Sequence, residues 1–249
     1  MRDQAPPVSI IIPARNEAAR LPASLREMRH VFADEPWEFL VMIEKSDDDT
    51  AALAREAVAG DERFVVVENP VARGKGFAVK TGMLRARGEL IFFMDADLSV
   101  PLSRVARFVE ASEKTSAEVF IGSRRHSESV IVVRQPWARE ASGRLFNRVL
   151  RLSGATRVSD TQCGFKAFRR NAAGEIFSRV VQDGFGFDVE VVVLADVLGF
   201  RVIELPVEWS DAAGSKVRPL RDGVGALFDA VLAARRIRRE YAGNASPRS

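Results

Sequence analysis

The sequence is poor in the side chains that build disulfides and soft metal sites. It has a single cysteine, Cys163, and two histidines, His30 and His126, in 249 residues. One cysteine cannot form an internal disulfide, and a metal site made of several cysteines or histidines is excluded. No apolar stretch reaches the roughly 18 residues of a membrane-spanning helix. The start, MRDQAPPVSIIIP, lacks the apolar core of a signal peptide. We therefore expect a cytoplasmic protein, with any membrane contact peripheral and on the inner face.

An excess of charge of one sign is also lacking. There are 37 basic and 34 acidic residues, a net charge of +3, which does not indicate a nucleic-acid partner. The apolar content of 47% is enough for one large α/β domain or two small ones. We predict a catalytic domain over residues 1–218, a basic amphipathic C-terminal helix over 219–241 and a disordered tail over 242–249.

Short apolar runs alternate with helical patterns through the first half of the chain. Continuous apolar runs of this length are typical of strands that are buried on both faces of a parallel sheet. Alternation at this interval predicts βαβ units and a mostly parallel central sheet flanked by helices, which is an α/β fold. The predicted strands are Val8–Ile12, Phe39–Ile43, Phe64–Val67 and Leu90–Met94, followed in the second half by Val119–Ile121 and Val202–Trp209.

The segment LIFFMDADLSVP organises the rest of the chain. Its apolar run stops at two carboxylates, Asp95 and Asp97, which would point to the same side if the extended geometry continues through Ala96. Two hard oxygen ligands suit Mg²⁺ or Mn²⁺, with waters and phosphate oxygens completing the coordination. Taken alone, the pair is equally compatible with a solvated loop that caps the next helix.

Polar residues follow each of the first four predicted strands, where ligands collect in parallel sheets. Convergence at one rim is stronger evidence than any single motif. The alternatives are helix capping for Glu44 and the acidic cluster Asp47–Asp49, and an ordinary turn for Gly74-Lys75-Gly76. The residues expected at the rim are Arg15, Glu17, Glu44, Ser46, Lys75, Asp95 and Asp97.

Two basic amphipathic segments stand out in the second half. They are Ser127–Gly154 and Pro219–Tyr241. Either could provide an apolar surface and a cationic binding site for a lipid phosphate, or lie on an anionic membrane. Either could equally be a helix that covers the sheet.

The order of the motifs resembles that of the family-2 inverting glycosyltransferases of GT-A fold. The closest resemblance is to the dolichyl- and polyprenyl-phosphate sugar synthases, in particular their β-glucosyltransferase branch, and it runs from about Val8 to Asp222. SDTQCGFKAF and GSKVRPLRD indicate this branch better than the metal motif does. The segments that carry it are IIPARNE, EKSDDDT, RGKGFAVKTGMLRARG, MDADLSVP, GSR, SDTQCGFKAF, FGFDVEVVVLA, VIELPVEW and GSKVRPLRD.

The resemblance implies roles for particular residues. Those implied to hold the nucleotide sugar are Pro13, Arg15, Glu17, Glu44, Ser46, Lys75, Asp95 and Ala96, with Asp95 and Asp97 as the metal ligands. Arg124 and Lys216 would meet the diphosphate or the acceptor phosphate, and Asp160, Gln162 and Asp188 the sugar and acceptor. Three positions depart from the family pattern: Arg15 replaces a common aromatic residue, Ile43 precedes Glu44 where an acid is usual, and Ser99 replaces the glutamine of the mannosyl branch.

The reaction that the resemblance implies moves a hexose from a nucleotide sugar to a polyprenyl or dolichyl phosphate, with Mg²⁺ or Mn²⁺ as cofactor. Resemblance to the β-glucosyltransferase branch implies that the hexose is glucose and the donor UDP-glucose. A lipid phosphate is already an anion near pH 7 and needs little general base. An alcohol acceptor, such as a secondary metabolite or a small sugar, would require Asp188 or Asp160 to take its proton. A third reading is a non-catalytic domain that binds nucleotide sugars on the same fold.

Overall fold

The structure is a computed structural model that describes residues 5–211 and 219–241. Its centre is a seven-stranded sheet of order β3-β2-β1-β4-β7-β5-β8, beside a two-stranded sheet, β6-β9. The strands are β1 Val8–Ala14, β2 Glu38–Ile43, β3 Phe64–Glu68, β4 Leu90–Met94, β5 Val119–Ser123, β6 Val130–Val133, β7 Phe165–Arg169, β8 Val202–Pro206 and β9 Glu208–Ser210.

Helices cover both faces of the large sheet. They are α1 Leu21–Val31, α2 Thr50–Ala57, α3 Lys75–Arg85, α4 Arg104–Lys114, α5 Trp137–Leu152, α6 Arg170–Phe177, α7 Phe187–Val197 and α8 Pro219–Tyr241. Side chains alternate along each strand, so a single strand contributes side chains to the cores on both faces of the sheet. Phe92 belongs to the core cluster that includes side chains of α1, α2 and α4, whereas its neighbour Phe93 belongs to the cluster on the opposite face, which includes α3, α6 and α7. The predicted α/β class is confirmed.

The first four strands are parallel, as the alternating pattern predicts. In the large sheet, β1 pairs with β2 and β4, and β2 pairs with β3, all in parallel. Strand β7 interrupts this order because it runs antiparallel to both β4 and β5, while β5 and β8 are parallel to each other. The carboxyl ends of β1 to β5 and β8 therefore share one rim with the amino end of β7.

Several elements differ from the sequence prediction, among them β6, which was not predicted as a strand. Val202–Trp209 is not one strand, because β8 pairs with β5 in the large sheet and β9 pairs with β6 in the small one. Strand β7 was not predicted, since Lys166 interrupts its apolar pattern. Lys166 is nevertheless fully buried, opposite Phe93 on one side and Ile121 on the other.

Helix α8 docks on the protein over the part whose side chains the structure describes. Ala230, Ala234 and Ile237 are buried in the core cluster of α7, and the helix contacts α7 and α5. Arg238 on this helix pairs with Asp196 of α7 at 2.5 Å. None of the helices, within the residues described, combines the length and apolar character needed to cross a bilayer.

Candidate active site

The two acids of the organising segment lie where β4 ends, and the protein holds one oxygen of each. Asp95 Oδ1 is 2.6 Å from Lys75 Nζ, and Asp97 Oδ1 accepts hydrogen bonds from the Ser99 amide at 3.0 Å and hydroxyl at 2.8 Å. Both carboxylates also act on Arg20, which pairs with Glu17; that hydrogen bond and the charges of Asp97 and Asp95 raise the Arg20 pKa. The charges of both acids therefore act on the same neighbouring cation.

Gly164 gives Asp95 the space that its carboxylate occupies. The Asp95 amide donates to the Gly164 carbonyl at 3.1 Å, just before β7 begins. A Cβ atom at position 164 would lie 1.9 Å from Asp95 Oδ2. Any side chain here must therefore displace the acid, which explains a glycine at this point of the rim.

Lys75 at the first position of α3 brings a cation to this pair. Burial by itself would lower its pKa, but the carboxylates of Asp95, Asp188 and Asp97 outweigh that effect and raise the pKa. Lys75 therefore remains charged at neutral pH. A cation at this place can balance either the acids or a bound phosphate.

Glu44 holds the loop that carries Lys75. Its buried carboxylate accepts from Asn69 Nδ2 at 2.8 Å, from the Arg73 amide at 2.5 Å and from the Gly74 amide at 2.7 Å. Gly74 has φ +128°, a conformation that favours glycine. In this structure Glu44 thus positions the loop, a role that the resemblance to nucleotide-binding acids did not suggest.

The loops after β1 and β2 are joined by hydrogen bonds. Ser46 Oγ accepts from the Asn16 amide at 3.0 Å and donates to the Glu44 carbonyl at 2.9 Å, while the Glu17 amide donates to Thr50 Oγ1 at 2.7 Å. Asp48 accepts from the Thr50 amide at 3.1 Å just before α2, whereas Asp49, the N-cap residue of α2, makes no capping hydrogen bond with its side chain.

Three other predicted nucleotide residues lie at or beside the same rim. Arg15 is exposed immediately after β1, whereas Pro13 is buried within that strand. Ala96 is buried between the two acids, and its carbonyl accepts from Ser24 Oγ at 2.7 Å.

Arg124 and Asp160 form a bidentate pair on the other side of the rim. Asp160 is fully buried and accepts from the Arg124 amide at 3.0 Å and from its guanidinium Nε and Nη2 at 2.7 Å each. Burial alone would raise the pKa of Asp160, but Arg124 outweighs it and lowers the pKa. The guanidinium also lies 5.5 Å from the centre of the Trp209 ring. Asp160 therefore orients Arg124 and has no surface of its own for a ligand.

Asp188 forms a second buried pair, with Lys166 of β7. The Lys166 ammonium is 2.5 Å from Asp188 Oδ1 and donates to the Cys163 carbonyl at 2.7 Å. Asp188 lies in the first turn of α7, and its charge acts on Lys75 as well. Lys166 is a site residue that sequence reasoning missed. The signal in the sequence is the lysine inside the apolar run FKAF. A lysine buried in such a run requires an anionic partner.

The remaining predicted residues divide into exposed, inert and undescribed ones. Gln162 is exposed beside the Arg124 pair. Cys163 is buried, and burial raises its pKa to about 12, so it remains an unreactive thiol at neutral pH. Lys216 lies outside the described residues. Over the described part of the chain, no three acidic, histidine or cysteine side chains are arranged to hold a metal ion.

The Arg124–Asp160 pair is expected to contribute to the free energy of unfolding. In Asp160→Asn the Arg124 charge loses its partner, so we expect a loss of about 3 kcal/mol in unfolding free energy, measured by urea denaturation at pH 7.5. The folded-state pKa of Asp160 is depressed, so its contribution is present at neutral pH and disappears as the pH falls through that pKa. The difference between wild type and variant should therefore shrink in acid.

Glu110→Gln is the matched control for this prediction. Glu110 pairs with Lys114 on the exposed surface of α4. Removing that pair should leave the unfolding free energy unchanged within error. An Asp160→Asn variant as stable as Glu110→Gln would contradict the role given to the buried pair.

Comparison with known proteins places this arrangement among sugar transferases. Residues 9–177 match glycosyl transferase family 2. The dolichyl-phosphate beta-glucosyltransferase of Drosophila melanogaster is 34% identical over 226 residues, which cover 85% of this chain and 69% of the relative. The protein of that name from Saccharomyces cerevisiae is 29% identical over 244 residues, 90% of this chain and 73% of the relative.

Solved structures extend the likeness to the fold. Glucosyl-3-phosphoglycerate synthase from Mycobacterium tuberculosis, in complex with Mn²⁺, UDP-glucose and phosphoglyceric acid, superposes with a TM-score of 0.67 at 22% identity. The superposition covers 95% of this chain and 80% of that one. At this identity the likeness concerns the fold.

Proposed function

Because the chain belongs to glycosyl transferase family 2 and is a glycosyltransferase of GT-A fold, we propose that it transfers glucose from UDP-glucose to a polyprenyl phosphate of dolichyl type. Support for the sugar and the acceptor comes from the relatives called dolichyl-phosphate beta-glucosyltransferase. Support for UDP comes from the synthase whose crystals contain UDP-glucose and Mn²⁺.

One observation on this chain favours a phosphate acceptor. The two acids proposed as bases for an alcohol, Asp160 and Asp188, are both buried in ion pairs, with Arg124 and Lys166. A carboxylate that is neutralised by a cation and removed from solvent is a poor proton acceptor. A lipid phosphate brings its own negative oxygen, so the arrangement needs no base.

The donor set of the rim fits a divalent ion. Asp95 and Asp97 provide hard carboxylate oxygens two residues apart at the end of β4, and Lys75 pairs with Asp95 in this structure. Asp95 and Asp97 would hold Mg²⁺ or Mn²⁺, which supplies positive charge for the diphosphate oxygens when bound. The nucleotide would lie along Arg15, Ser46 and Ala96.

In the proposed reaction, an oxygen of the acceptor phosphate attacks the anomeric carbon of glucose. The bond from that carbon to the diphosphate breaks, UDP leaves, and a single displacement inverts the centre to give a β-linked product. Lys75 and Arg124 donate charge-assisted hydrogen bonds to phosphate oxygens. Each well-placed donor of this kind lowers the activation barrier by about 3 kcal/mol. Gln162, exposed beside Arg124, would orient the acceptor.

The test is a panel of nucleotide sugars offered to the full chain with and without a short polyprenyl phosphate, in Mn²⁺, Mg²⁺ or EDTA. We expect transfer from UDP-glucose at least tenfold faster than from GDP-mannose, and none in EDTA. Transfer only to 3-phosphoglycerate or a free sugar would favour the soluble-acceptor alternative. Tight binding of UDP-glucose without any turnover would favour a non-catalytic domain.

A further inference from the structure

Helix α5 carries an apolar stripe that nothing in the described chain covers. Trp137, Leu145 and Leu152 are 81%, 61% and 79% exposed. Spacings of eight and seven residues place them on one face of the helix. The opposite face is anchored in the protein through buried Asn147 and Leu150. A stripe of three large apolar side chains on one outward face is unusual for a surface in water.

Strand β6, which precedes α5 in the chain, also exposes apolar side chains. Val130, Val132 and Val133 are exposed, and three residues separate the strand from α5. Residues 130–152 also contain five arginines and one glutamate. Exposed apolar groups among cations are complementary to the apolar interior and anionic headgroups of a bilayer.

The same helix is tied to the rim of the site. Asn147 Oδ1 accepts from the Thr161 amide at 3.0 Å and hydroxyl at 2.8 Å, next to Asp160 and its partner Arg124. The outward stripe and the phosphate-binding side of the site are therefore on two faces of one element. Helix α8, the other amphipathic candidate, buries Ala230, Ala234 and Ile237 against the core, and among its described side chains Leu232, at 46%, is the one large apolar group that is exposed.

We infer that α5 and β6 form the surface by which the protein docks on an anionic phospholipid bilayer. A consequence of this docking rests on the proposed function: it brings the Arg124 side of the site to a phosphate acceptor held in that bilayer. Of the two basic segments that the sequence offered, we choose the first, because it leaves three large side chains of one helix face exposed, Trp137, Leu145 and Leu152.

Tryptophan fluorescence reports on this surface directly. The chain has three tryptophans, of which Trp37 and Trp209 are 8% exposed each and Trp137 is 81% exposed. On titration with vesicles of phosphatidylcholine containing 30% phosphatidylglycerol, we expect a blue shift and quenching by brominated lipid. Both signals should be absent in Trp137→Phe and much weaker with pure phosphatidylcholine. Vesicle binding without any change at Trp137 would overturn the inference.

A paired set of variants tests the stripe itself. Leu145→Ser/Leu152→Ser should lower the vesicle partition coefficient at least tenfold in flotation. The control, Val31→Ser/Leu84→Ser, removes apolar side chains that are also exposed but lie on α1 and α3, and should bind as the wild type does. Equal binding by the two double variants would overturn the inference. So would a concentration-dependent dimer that only the stripe variant loses, since it would assign the stripe to a second copy.

Activity separates this inference from the proposed function. With a short, water-soluble polyprenyl phosphate, Leu145→Ser/Leu152→Ser should transfer glucose at the wild-type rate, and with a long acceptor in anionic vesicles at least tenfold more slowly. Equal rates with the vesicle-bound acceptor would overturn the docking surface while leaving the proposed function intact. Stripe-dependent binding without transfer to either acceptor would leave docking intact and refute the proposed function.

Discussion

Asp97→Asn is expected to turn over the donor at least ~1,000-fold more slowly than the wild-type chain while keeping its fold, a loss of about 4 kcal/mol in transition-state stabilisation. The amide oxygen of asparagine can still accept the hydrogen bonds that Ser99 donates to Asp97 Oδ1. The loop should therefore stay in place. What disappears is one of the two negative charges proposed to hold the divalent ion beside the diphosphate.

The measurement is kcat for glucose transfer as a function of Mn²⁺ concentration, with circular dichroism and Tm recorded on the same samples. We expect the Mn²⁺ requirement to rise and the Tm to stay within a few degrees. Ser99→Ala is the graded control, because it removes the hydroxyl donor and leaves the amide donor. A loss of roughly tenfold is expected for it. Near-normal turnover of Asp97→Asn would remove the metal from the proposed mechanism.

Gly164→Ala is expected to lower transfer at least ~100-fold by moving the other acid, a cost of about 2.7 kcal/mol in the barrier. The new methyl group would lie 1.9 Å from Asp95 Oδ2, well inside any van der Waals contact. Asp95 must rotate away, which also breaks the 2.6 Å contact between its Oδ1 and Lys75. The variant changes no charge, so its effect would come from geometry alone.

Gly174→Ala is the matched control for this substitution. Gly174 lies inside α6, and a Cβ atom there meets nothing within 4 Å. Alanine should leave transfer unchanged and stabilise the fold by about 0.5–1 kcal/mol, because glycine is the poorer helix former. If Gly164→Ala matched this control in kcat and in Mn²⁺ affinity, the position of Asp95 would not matter to the reaction.

The chain pattern by itself predicted the features that depend on local periodicity. Continuous apolar runs identified the first four strands, and their parallel order follows from the helices between them. That order alone brings the residues after β1, β2 and β4 to one rim. The acids at the end of β4 could therefore be identified from the sequence, as could the family from its ordered motifs.

The sequence could not assign partners to the buried charges. Glu44 reads as a ligand-binding acid, yet its oxygens hold the loop before α3. Asp160 and Asp188 were candidate bases, yet each is buried and paired with a cation. These pairings join residues that are distant in the chain, and no local pattern encodes which cation a carboxylate will meet.

The sequence alone determined the class of fold, the rim and its acids, because strand periodicity and motif order are local properties of the chain. Tertiary structure decided that β7 runs antiparallel through the middle of the sheet and carries Lys166 to Asp188. It also decided that Trp137, Leu145 and Leu152 of α5 stay exposed, whereas Ala230, Ala234 and Ile237 of α8 are buried in the core. The physical reason is the same for both decisions: the free energy of burying a charge or an apolar stripe depends on what packs against it, and only the folded chain supplies that neighbour.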